Sequence, residues 1–300
     1  MKFDAVNENI LTVWIPVWGA HHIGLMENFL IPSLLQPGNL SSLRGQIHFD
    51  ICTTAESVEE VNRSAQRALA GWKTCSVSIA ALPDGSQVIS RGFLNSIRSA
   101  IAARSRMLLA MPDTVFGNGS IGNLARYAFG KNICIAAAHL RVEHDAYMKA
   151  TGGKFSGASN AELVDVAEAC AHQTARESHC ESENCSWAGG ISLTHIAPGL
   201  HAMIHHLPTP YLVFMTREDE EFFAHGHLGF IDHVWPEKLV ESGRLRVIGS
   251  SELFFAVEIT ATGNNTQPIK PNSQFEEAYC GQFKHHRANS MFVTALQGKK

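Results

Sequence analysis

LTVWIPV, the stretch Leu11–Val17, is rich in β-branched and aromatic residues and ends at Trp18-Gly19, so it predicts a β-strand. A helical pattern follows over His22–Leu35 and stops at Pro37-Gly38-Asn39. QIHFDICT, Gln46–Thr53, then alternates apolar and polar residues as a second strand does. A strand, a helix and another strand in succession indicate a crossover unit.

The same alternation continues along the first half of the chain. The further strand patterns are Thr74–Ala81, Met107–Met111 and Asn132–Ala138, and the helical patterns are Val58–Ala70, Phe93–Arg104 and Ser120–Phe129. Strands separated by helices of about a dozen residues imply a parallel sheet. We therefore predict an α/β fold with a mainly parallel central sheet flanked by helices.

The second half is less regular. It contains a helical pattern at Ala161–Thr174, a polar loop at Ala175–Gly190, and strand patterns at Tyr211–Thr216, Gly229–Ile231, Leu245–Ile248 and Phe254–Thr260. The residues after Thr262 are rich in Asn, Gln, Pro and Gly, which favours irregular structure. We predict a single α/β domain over 1–300, with a regular half (1–150), an elaborated half (151–262) and an irregular tail (263–300).

Charge and composition restrict the class of protein. The 300 residues have a formal net charge of −4 and no Lys/Arg block, which gives no electrostatic case for nucleic acid or anionic membrane as a partner. Met1–Ile10 lacks the pattern of a secretory signal, and apolar stretches such as Met107–Met111 are too short to span a bilayer. The seven scattered cysteines suit a reduced thiol set. These observations predict a soluble, cytoplasmic protein.

The strongest local motif is MLLAMPDTVFGNG, Met107–Gly119, in which a strand pattern leads into Pro112-Asp113 and a glycine-containing turn. A carboxylate at a strand end can bind a divalent cation that bridges phosphate oxygens, and the glycines would let the backbone approach a ligand closely. Alternatively, Asp113 only caps a turn. No glycine-rich Rossmann motif and no P-loop occurs.

Ligands of open α/β sheets bind beyond the carboxyl ends of the strands. That rule selects the residues that follow the predicted strands, which are Trp18, Gly19, His21, His22, Thr53, Thr54, Glu56, Asp113 to Asn118, His139, Arg141 and Glu143.

Histidines are concentrated in the second half, where eleven of the sixteen fall between His139 and His233. The spacing of His201 and His205 would place them on one face of a helix, and His225 and His227 would share a face of a strand. Such a set is able to supply a metal site or an acid/base pair, although most single histidines are surface or hydrogen-bonded residues. The zinc-knuckle-like spacing of His179-Cys180 and Cys185 lacks a second ligand pair.

Several segments together resemble bacterial glycosyltransferase-like proteins with an A-type fold. They are WGAHHIGLMENFLIPSLLQPGNL, ICTTAE, PDTVFGNGS with GKNICIAAAHLRV, FIDHVWPEKL, and VIGSSELFFAVE, and they occur in order over most of Leu11–Glu258. The resemblance implies that residues 1–150 form a nucleotide-binding half and that residues 151–262 receive the acceptor. The substrates would be a nucleoside-diphosphate sugar and an unidentified acceptor.

The resemblance also implies roles for individual residues. Trp18, Gly19, Thr53 and Thr54 would face the nucleoside, and Arg141 would contact phosphate. Asp113 stands where such enzymes have a paired-acid motif for manganese or magnesium, but Asn118 follows it in place of a second carboxylate. His205 or Asp232 would then complete the metal site. Asp232 and Glu252 are candidates for the base that deprotonates the acceptor.

Two other functions remain open from the sequence. One is a histidine-rich metalloenzyme, a hydrolase or an oxygenase, built on the second half. The other is a non-catalytic binding protein that has kept the fold, which the missing second acid near Asp113 favours.

Overall fold

A computed structural model describes residues 6–72, 75–137, 139–177, 191–197, 200–205, 209–225, 234–261 and 292–298. Its strands are β1 (Ile10–Pro16), β2 (Gln46–Thr54), β3 (Cys75–Leu82), β4 (Arg106–Leu109), β5 (Thr114–Phe116), β6 (Cys134–Ala137), β7 (His139–Glu143), β8 (Ile191–Ala197), β9 (Leu200–His205), β10 (Thr209–Phe214), β11 (Leu245–Ile248), β12 (Ala256–Thr260) and β13 (Phe292–Gln297). Its helices are α1 (Gly19–Leu25), α2 (Ile31–Leu34), α3 (Val58–Ala68), α4 (Gly85–Gln87), α5 (Phe93–Ala103), α6 (Ser120–Ala128), α7 (His144–Thr151), α8 (Asn160–Ala169), α9 (Gln173–Glu177), α10 (Arg217–Ala224) and α11 (Val234–Glu241).

A seven-stranded sheet forms the centre of the fold, with strand order β11-β6-β10-β4-β1-β2-β3. β1 pairs in parallel with β2 on one side and with β4 on the other, and β2 pairs in parallel with β3. β10 runs antiparallel to both of its neighbours, β4 and β6, whereas β11 is parallel to β6. The predicted α/β fold with a mainly parallel, helix-flanked sheet is confirmed.

The central sheet is buried on both faces, which explains why β1 is apolar along almost its whole length. Val13 and Ile15 point to one face, where they pack with α1, α2, α3 and α6, and both side chains are fully buried. Trp14 points to the other face and packs against Phe93 of α5, with ring centroids 4.5 Å apart. α10 and α11 complete that second layer.

Two three-stranded sheets lie beside the central one. The first has the order β5-β12-β7, in which β12 is antiparallel to β5 and parallel to β7. The second is an antiparallel sheet of order β13-β9-β8. Apolar residues of both small sheets pack with α8 into one core, and Val257, Met203 and Leu296 are buried there.

Two predicted helices differ in their course from the sequence expectation. The helix predicted at His22–Leu35 begins earlier, at Gly19, and widens into a π-helical turn at Met26–Leu30 just before Pro32, whose ring has no N–H to continue the α-helical ladder. The helix predicted at Ala161–Thr174 ends at Ala169, because the backbone of Cys170 and His172 hydrogen-bonds to β7 instead.

The prediction of a helix face for His201 and His205 is wrong, because both residues lie in strand β9 between β8 and β13. The tail 263–300, predicted to be irregular, contains strand β13, which pairs with β9. The local sequence pattern did not reveal this strand because its partner is distant in sequence. His225 ends helix α10 rather than occupying a strand. The predicted strand Gly229–Ile231 lies outside the described residues, as does His227.

In the part of the chain that the structure describes, no helix is both long enough and apolar enough to cross a bilayer.

A buried ion pair between Asp219 and Arg244 stabilises the β11 end of the central sheet. Asp219 accepts hydrogen bonds from Trp235 Nε1 at 2.8 Å and from Arg244 Nη2 at 2.8 Å, and it also caps α10 through Thr216. Arg244 Nη2 donates in addition to the Phe214 carbonyl at the end of β10. One carboxylate therefore joins α10, α11 and the strands β10 and β11.

We expect Asp219→Ala to lower the free energy of unfolding by about 3 kcal/mol or more, because it leaves the Arg244 guanidinium buried without its counter-charge. Urea denaturation followed by circular dichroism measures this change. Glu221→Ala on the exposed side of the same helix is the control and should cost less than about 0.5 kcal/mol. Equal effects of the two substitutions would contradict the role given to Asp219.

Candidate active site

The strand order places a topological switch point between β1 and β4. From β1 the chain moves outward through β2 to β3, and it then returns to β4 on the opposite side of β1. In open α/β sheets the loops on the two sides of such a point diverge at the carboxyl edge, and ligands bind in the crevice between them. Trp18 and Gly19 follow β1 at this edge, and Asp113 follows β4.

Glu258 lies next to Asp113 at this edge. Strand β12 pairs with β5 so that Glu258 is opposite Thr114, and the Ile259 N–H donates to the Asp113 carbonyl at 2.9 Å. Asp113 precedes Thr114 in the chain, so the pairing brings two carboxylates together that are far apart in sequence. Both side chains are partly buried.

Two basic side chains of β7, His139 and Arg141, bind Glu258. Its Oε2 atom lies 3.2 Å from His139 Nε2, and its Oε1 atom lies 3.1 Å from Arg141 Nε. His139 and Arg141 are two residues apart on β7 and thus share a face of the small sheet, whereas Leu140 and Val142 point into the core. Both carboxylate oxygens of Glu258 therefore have a basic partner.

The surroundings shift the pKa values of the two carboxyl groups in opposite directions. Burial raises the pKa of Asp113, and the negative charge of Glu258 raises it further. Burial acts in the same upward direction on Glu258, but the hydrogen bond and charge of His139, together with Arg141, outweigh it and lower the pKa of Glu258. Glu258 is therefore the permanently ionised member, and Asp113 is the member able to exchange a proton near neutral pH.

The loop after β1 lies at the same carboxyl edge of the sheet. Gly19 has a φ of +72°, and its N–H donates to Ser57 Oγ at 3.3 Å. Gly85, in the segment after β3, packs so closely on the Trp18 indole that an added Cβ would lie 2.7 Å from the Cε2 atom. Trp18 is thereby held in place by backbone, while Gly19 remains exposed.

Histidine rings of α1, the helix that begins directly after this loop, contact the end of β7 in the small sheet. The His21 ring lies 5.2 Å from that of His22 and 5.1 Å from that of His144, measured between centroids. His144 directly follows β7 and pairs with Asp145 at 2.9 Å. Burial lowers the pKa of His22, and the neighbouring His21 lowers it further. The loop after β1 and the end of β7 thus belong to one surface.

The threonines predicted to face a nucleoside are placed differently. Thr53 is fully buried, so its side chain does not reach a ligand at this edge. Thr54 is also buried, and its hydroxyl donates to Ser57 Oγ at 3.1 Å. Of the four residues assigned to the nucleoside, Trp18 and Gly19 remain in the crevice.

The turn Gly117–Gly119 is used for internal packing rather than for ligand contact. Asn118 Oδ1 accepts the Gly38 N–H at 2.8 Å, and Asn39 Nδ2 donates to the Gly117 carbonyl at 3.1 Å. A Cβ on Gly117 would collide with the Asn160 side chain. The second acid sought near Asp113 is therefore Glu258 of β12, and position 118 has a structural role.

The remaining predicted residues do not join Asp113 in the described structure. Glu252 is exposed in the turn before β12, where its carbonyl accepts Asn160 Nδ2 at 3.1 Å. His205 is the last residue of β9, in the antiparallel three-stranded sheet. Asp232, predicted as a base or metal ligand, lies outside the described residues, as do His179, Cys180 and Cys185.

The donor set does not fit a metal centre made by the protein alone. Among the described residues no three His, Cys, Asp or Glu side chains gather as metal ligands would. The two oxygens of Glu258 already contact His139 and Arg141, and other described histidines have partners elsewhere, as His172 has Thr174 and His201 has Glu168. A histidine-based metal site is thus not formed by this part of the chain.

Comparison with known proteins adds no assignment: no protein-family model matches the sequence, and neither does any curated protein.

Glu258 is the residue that sequence reasoning missed. It lies in FFAVEIT, where one acid interrupts an otherwise apolar strand pattern. A charged residue in a buried strand requires a partner of opposite charge, and that rule would have directed attention to it. Of its partners, His139 was identified only as a residue that follows a predicted strand, and Arg141 was identified in addition as a phosphate contact.

The raised pKa of Asp113 makes a prediction about stability. Between about pH 4 and the raised pKa, the folded protein keeps a proton that the unfolded chain has lost, so the free energy of unfolding falls as pH rises. Asp113→Asn removes this exchange. We expect the variant to gain on the order of 1 kcal/mol relative to wild type between about pH 5 and pH 8, measured by urea denaturation.

Glu241→Gln, which removes an exposed carboxylate on α11, is the control and should leave the pH profile unchanged. A difference between Asp113→Asn and wild type that stays constant with pH would contradict the proposed protonation of Asp113.

Proposed function

We propose that this chain is a glycosyltransferase-like enzyme with an A-type fold, which transfers a sugar from a nucleoside-diphosphate sugar to an acceptor hydroxyl. The observation that supports this most directly is the Asp113, Glu258, His139 and Arg141 cluster at the switch point of a mainly parallel sheet. That edge is where open α/β sheets bind nucleotides. The cluster provides both a proton-accepting carboxylate and positive charge.

In this proposal the loop after β1 receives the nucleoside. The Trp18 indole offers a flat apolar surface, and the exposed backbone of Gly19 permits close approach of a ligand. The contacts of His21 with His144 lead from this loop to β7, so a diphosphate attached to the nucleoside would extend towards Arg141.

Arg141 and His139 would bind the diphosphate. A guanidinium has five N–H donors, and the contact with Glu258 is made by Nε, so the planar fork of Arg141 is suited to phosphate oxygens. About two-fifths of its side chain is exposed, whereas Glu258 is more buried, which directs the positive charge outward. Cationic side chains positioned in advance stabilise the charge that develops on a leaving diphosphate.

Asp113 would act as the base. The acceptor hydroxyl gives its proton to Asp113 while its oxygen bonds to the anomeric carbon, and the bond from that carbon to the diphosphate breaks. The electron pair leaves with the diphosphate. A carboxylate whose pKa is raised towards neutral is a better proton acceptor than an ordinary surface acid. This assigns to Asp113 the role that the sequence suggested for Asp232 and Glu252.

The proposal predicts that a nucleoside diphosphate binds and that Arg141 contributes to its affinity. Calorimetric titration with the common nucleoside diphosphates, in manganese, in magnesium and in chelator, should give saturable heat with at least one of them. Arg141→Ala should weaken binding by about tenfold or more, because it removes charge-assisted hydrogen bonds. Arg246→Ala is the matched control, since among the described residues Arg246 hydrogen-bonds to nearby backbone carbonyls in β11 and the turn before it.

Binding without added metal would favour the cationic side chains as the diphosphate partners, and binding only with manganese would show that substrate phosphates complete a metal shell. The absence of heat with every nucleotide under all three conditions would overturn the proposed function.

A second prediction separates chemistry from binding. Asp113→Asn removes the base but keeps the shape of the side chain, so we expect nucleotide affinity within about threefold of wild type and a turnover lower by about 10² to 10⁴. Release of nucleoside diphosphate from the bound nucleotide sugar measures turnover. Glu252→Gln should retain wild-type turnover. The reverse pattern, with Glu252 required and Asp113 dispensable, would return the base role to Glu252.

A further inference from the structure

Strand β3 forms one end of the central sheet, and among the described residues no strand pairs with its outer edge. Its sequence, CSVSIAAL, contains no charged residue and no proline over eight residues. Monomeric proteins usually protect a sheet edge with charge, proline or a bulge, because its unpaired N–H and C=O groups attract other strands. The edge of β3 has none of these features.

An open groove of about 570 Å³ runs between β3 and α3. The residues that line it are Val58, Asn62, Ala65, Gln66, Leu69, Val77 and Ile79. None of them is charged, and Val77 is 43% exposed although it belongs to a strand. The groove therefore suits an uncharged occupant that has both apolar and polar groups.

The opposite face of β3 is already satisfied within the chain. Ser76 Oγ lies 2.8 Å from His48 Nδ1, and Ser78 Oγ donates to Asp50 Oδ1 at 3.1 Å. The hydroxyls of β3 thus have partners, and what remains open is the main-chain edge together with the groove face.

We propose that β3 is the interface with a second copy of this chain, in which the two β3 strands pair antiparallel about a twofold axis near Ser78. Residues opposite one another in an antiparallel pair share a face of the sheet. With Ser78 opposite the partner's Ser78, Val77 lies opposite the partner's Ile79. The apolar groove residues of both copies then meet on one face, and the serines meet on the other.

The surface matches a copy of itself better than a charged partner. The strand and the groove are neutral, so the twofold pairing brings no like charges together at the seam. Asn62 and Gln66 on the rim each have both a donor and an acceptor, so their amides are compatible with one another across a twofold axis. An uncharged sheet edge is able to pair with another uncharged β-strand, and each copy of the chain has such a strand in β3.

The size of the surface sets the expected affinity. A strand of eight residues is about 26 Å long, and together with one flank of α3 the strip is roughly 15 Å wide. Two such strips bury about 800 Å² in total, which is below the range for stable complexes and in that of weak, transient ones, so the dissociation constant is expected to be on the order of tens of micromolar. The proposal is independent of the proposed function, since the crevice after β1 and β4 does not include β3.

Sedimentation velocity of the full chain between about 1 and 100 μM tests it, because a micromolar dimer changes its weight-average mass across that range. Val77→Lys places a charge at the seam and should raise the dissociation constant by about tenfold or more. Val77→Thr, which keeps a β-branched uncharged side chain, is the matched control and should remain a dimer. Thermal unfolding of both variants checks that they are folded.

A wild-type protein that is monomeric up to about 100 μM would overturn the proposal. A dimer that Val77→Lys leaves unchanged would overturn it equally, because the contact would then lie elsewhere. Loss of the dimer in Val77→Lys alone, with Val77→Thr like wild type, is the expected outcome.

Discussion

The antiparallel pairing of β12 with β5 determines the chemistry of the crevice. It is anchored by the hydrogen bond from the Ile259 N–H to the Asp113 carbonyl, at the point where the chain leaves β4. Without this pairing Asp113 would be an isolated acid at a strand end. With it, Glu258 lies beside Asp113, and the parallel pairing of β12 with β7 adds Arg141 opposite Glu258. Backbone register therefore places every charged group of the cluster.

The neighbouring charges then give the two carboxyl groups, Glu258 and Asp113, different protonation behaviour. Glu258 is bound by two basic side chains, and its ionised form holds them in position. Its fixed negative charge in turn disfavours ionisation of Asp113. A carboxylate pair in which one member stays ionised and the other exchanges its proton is a recurring way for a protein to obtain a base that works near neutral pH. The arrangement needs no residue of unusual type, only two acids in different surroundings.

The sequence was sufficient for β1 to β4 because this part of the fold is built from local crossovers, whereas β5 and β7 were not predicted. β1, β2 and β3 each continue into a helix that returns the chain, and periodicity identifies such units within a few dozen residues. The second half depends on pairings between distant segments. Nothing in the composition of Thr209–Phe214 shows that it runs antiparallel between β4 and β6, and the helical spacing of His201 and His205 is equally compatible with a strand.

The candidate site, like the fold, was predicted only in part from the sequence. Asp113, Trp18, Gly19, His139 and Arg141 follow strands, and the rule for open sheets identifies them. Thr53 follows the same rule and is nevertheless buried, because a side chain at a strand end points either into the core or into the crevice, and sequence position does not distinguish the two. Asn118 was expected at the site and instead holds Gly38, since polar turn residues serve backbone groups as often as ligands.

The position of the cluster relative to the rest of the fold restricts what it can do. Glu258 and Arg141 lie on the polar face of a small sheet whose other face is packed into the core by Val115, Val142 and Val257. That packing fixes the strands and hence the spacing of the charged groups, so a ligand meets a preorganised arrangement of charge. A site of this kind favours an anionic substrate that reacts at an adjacent centre, and a sugar attached to a diphosphate is such a substrate. The fold alone would not choose it, because mainly parallel sheets serve many reactions. We therefore base the proposed sugar transfer on the paired acids and their basic partners more than on the sheet.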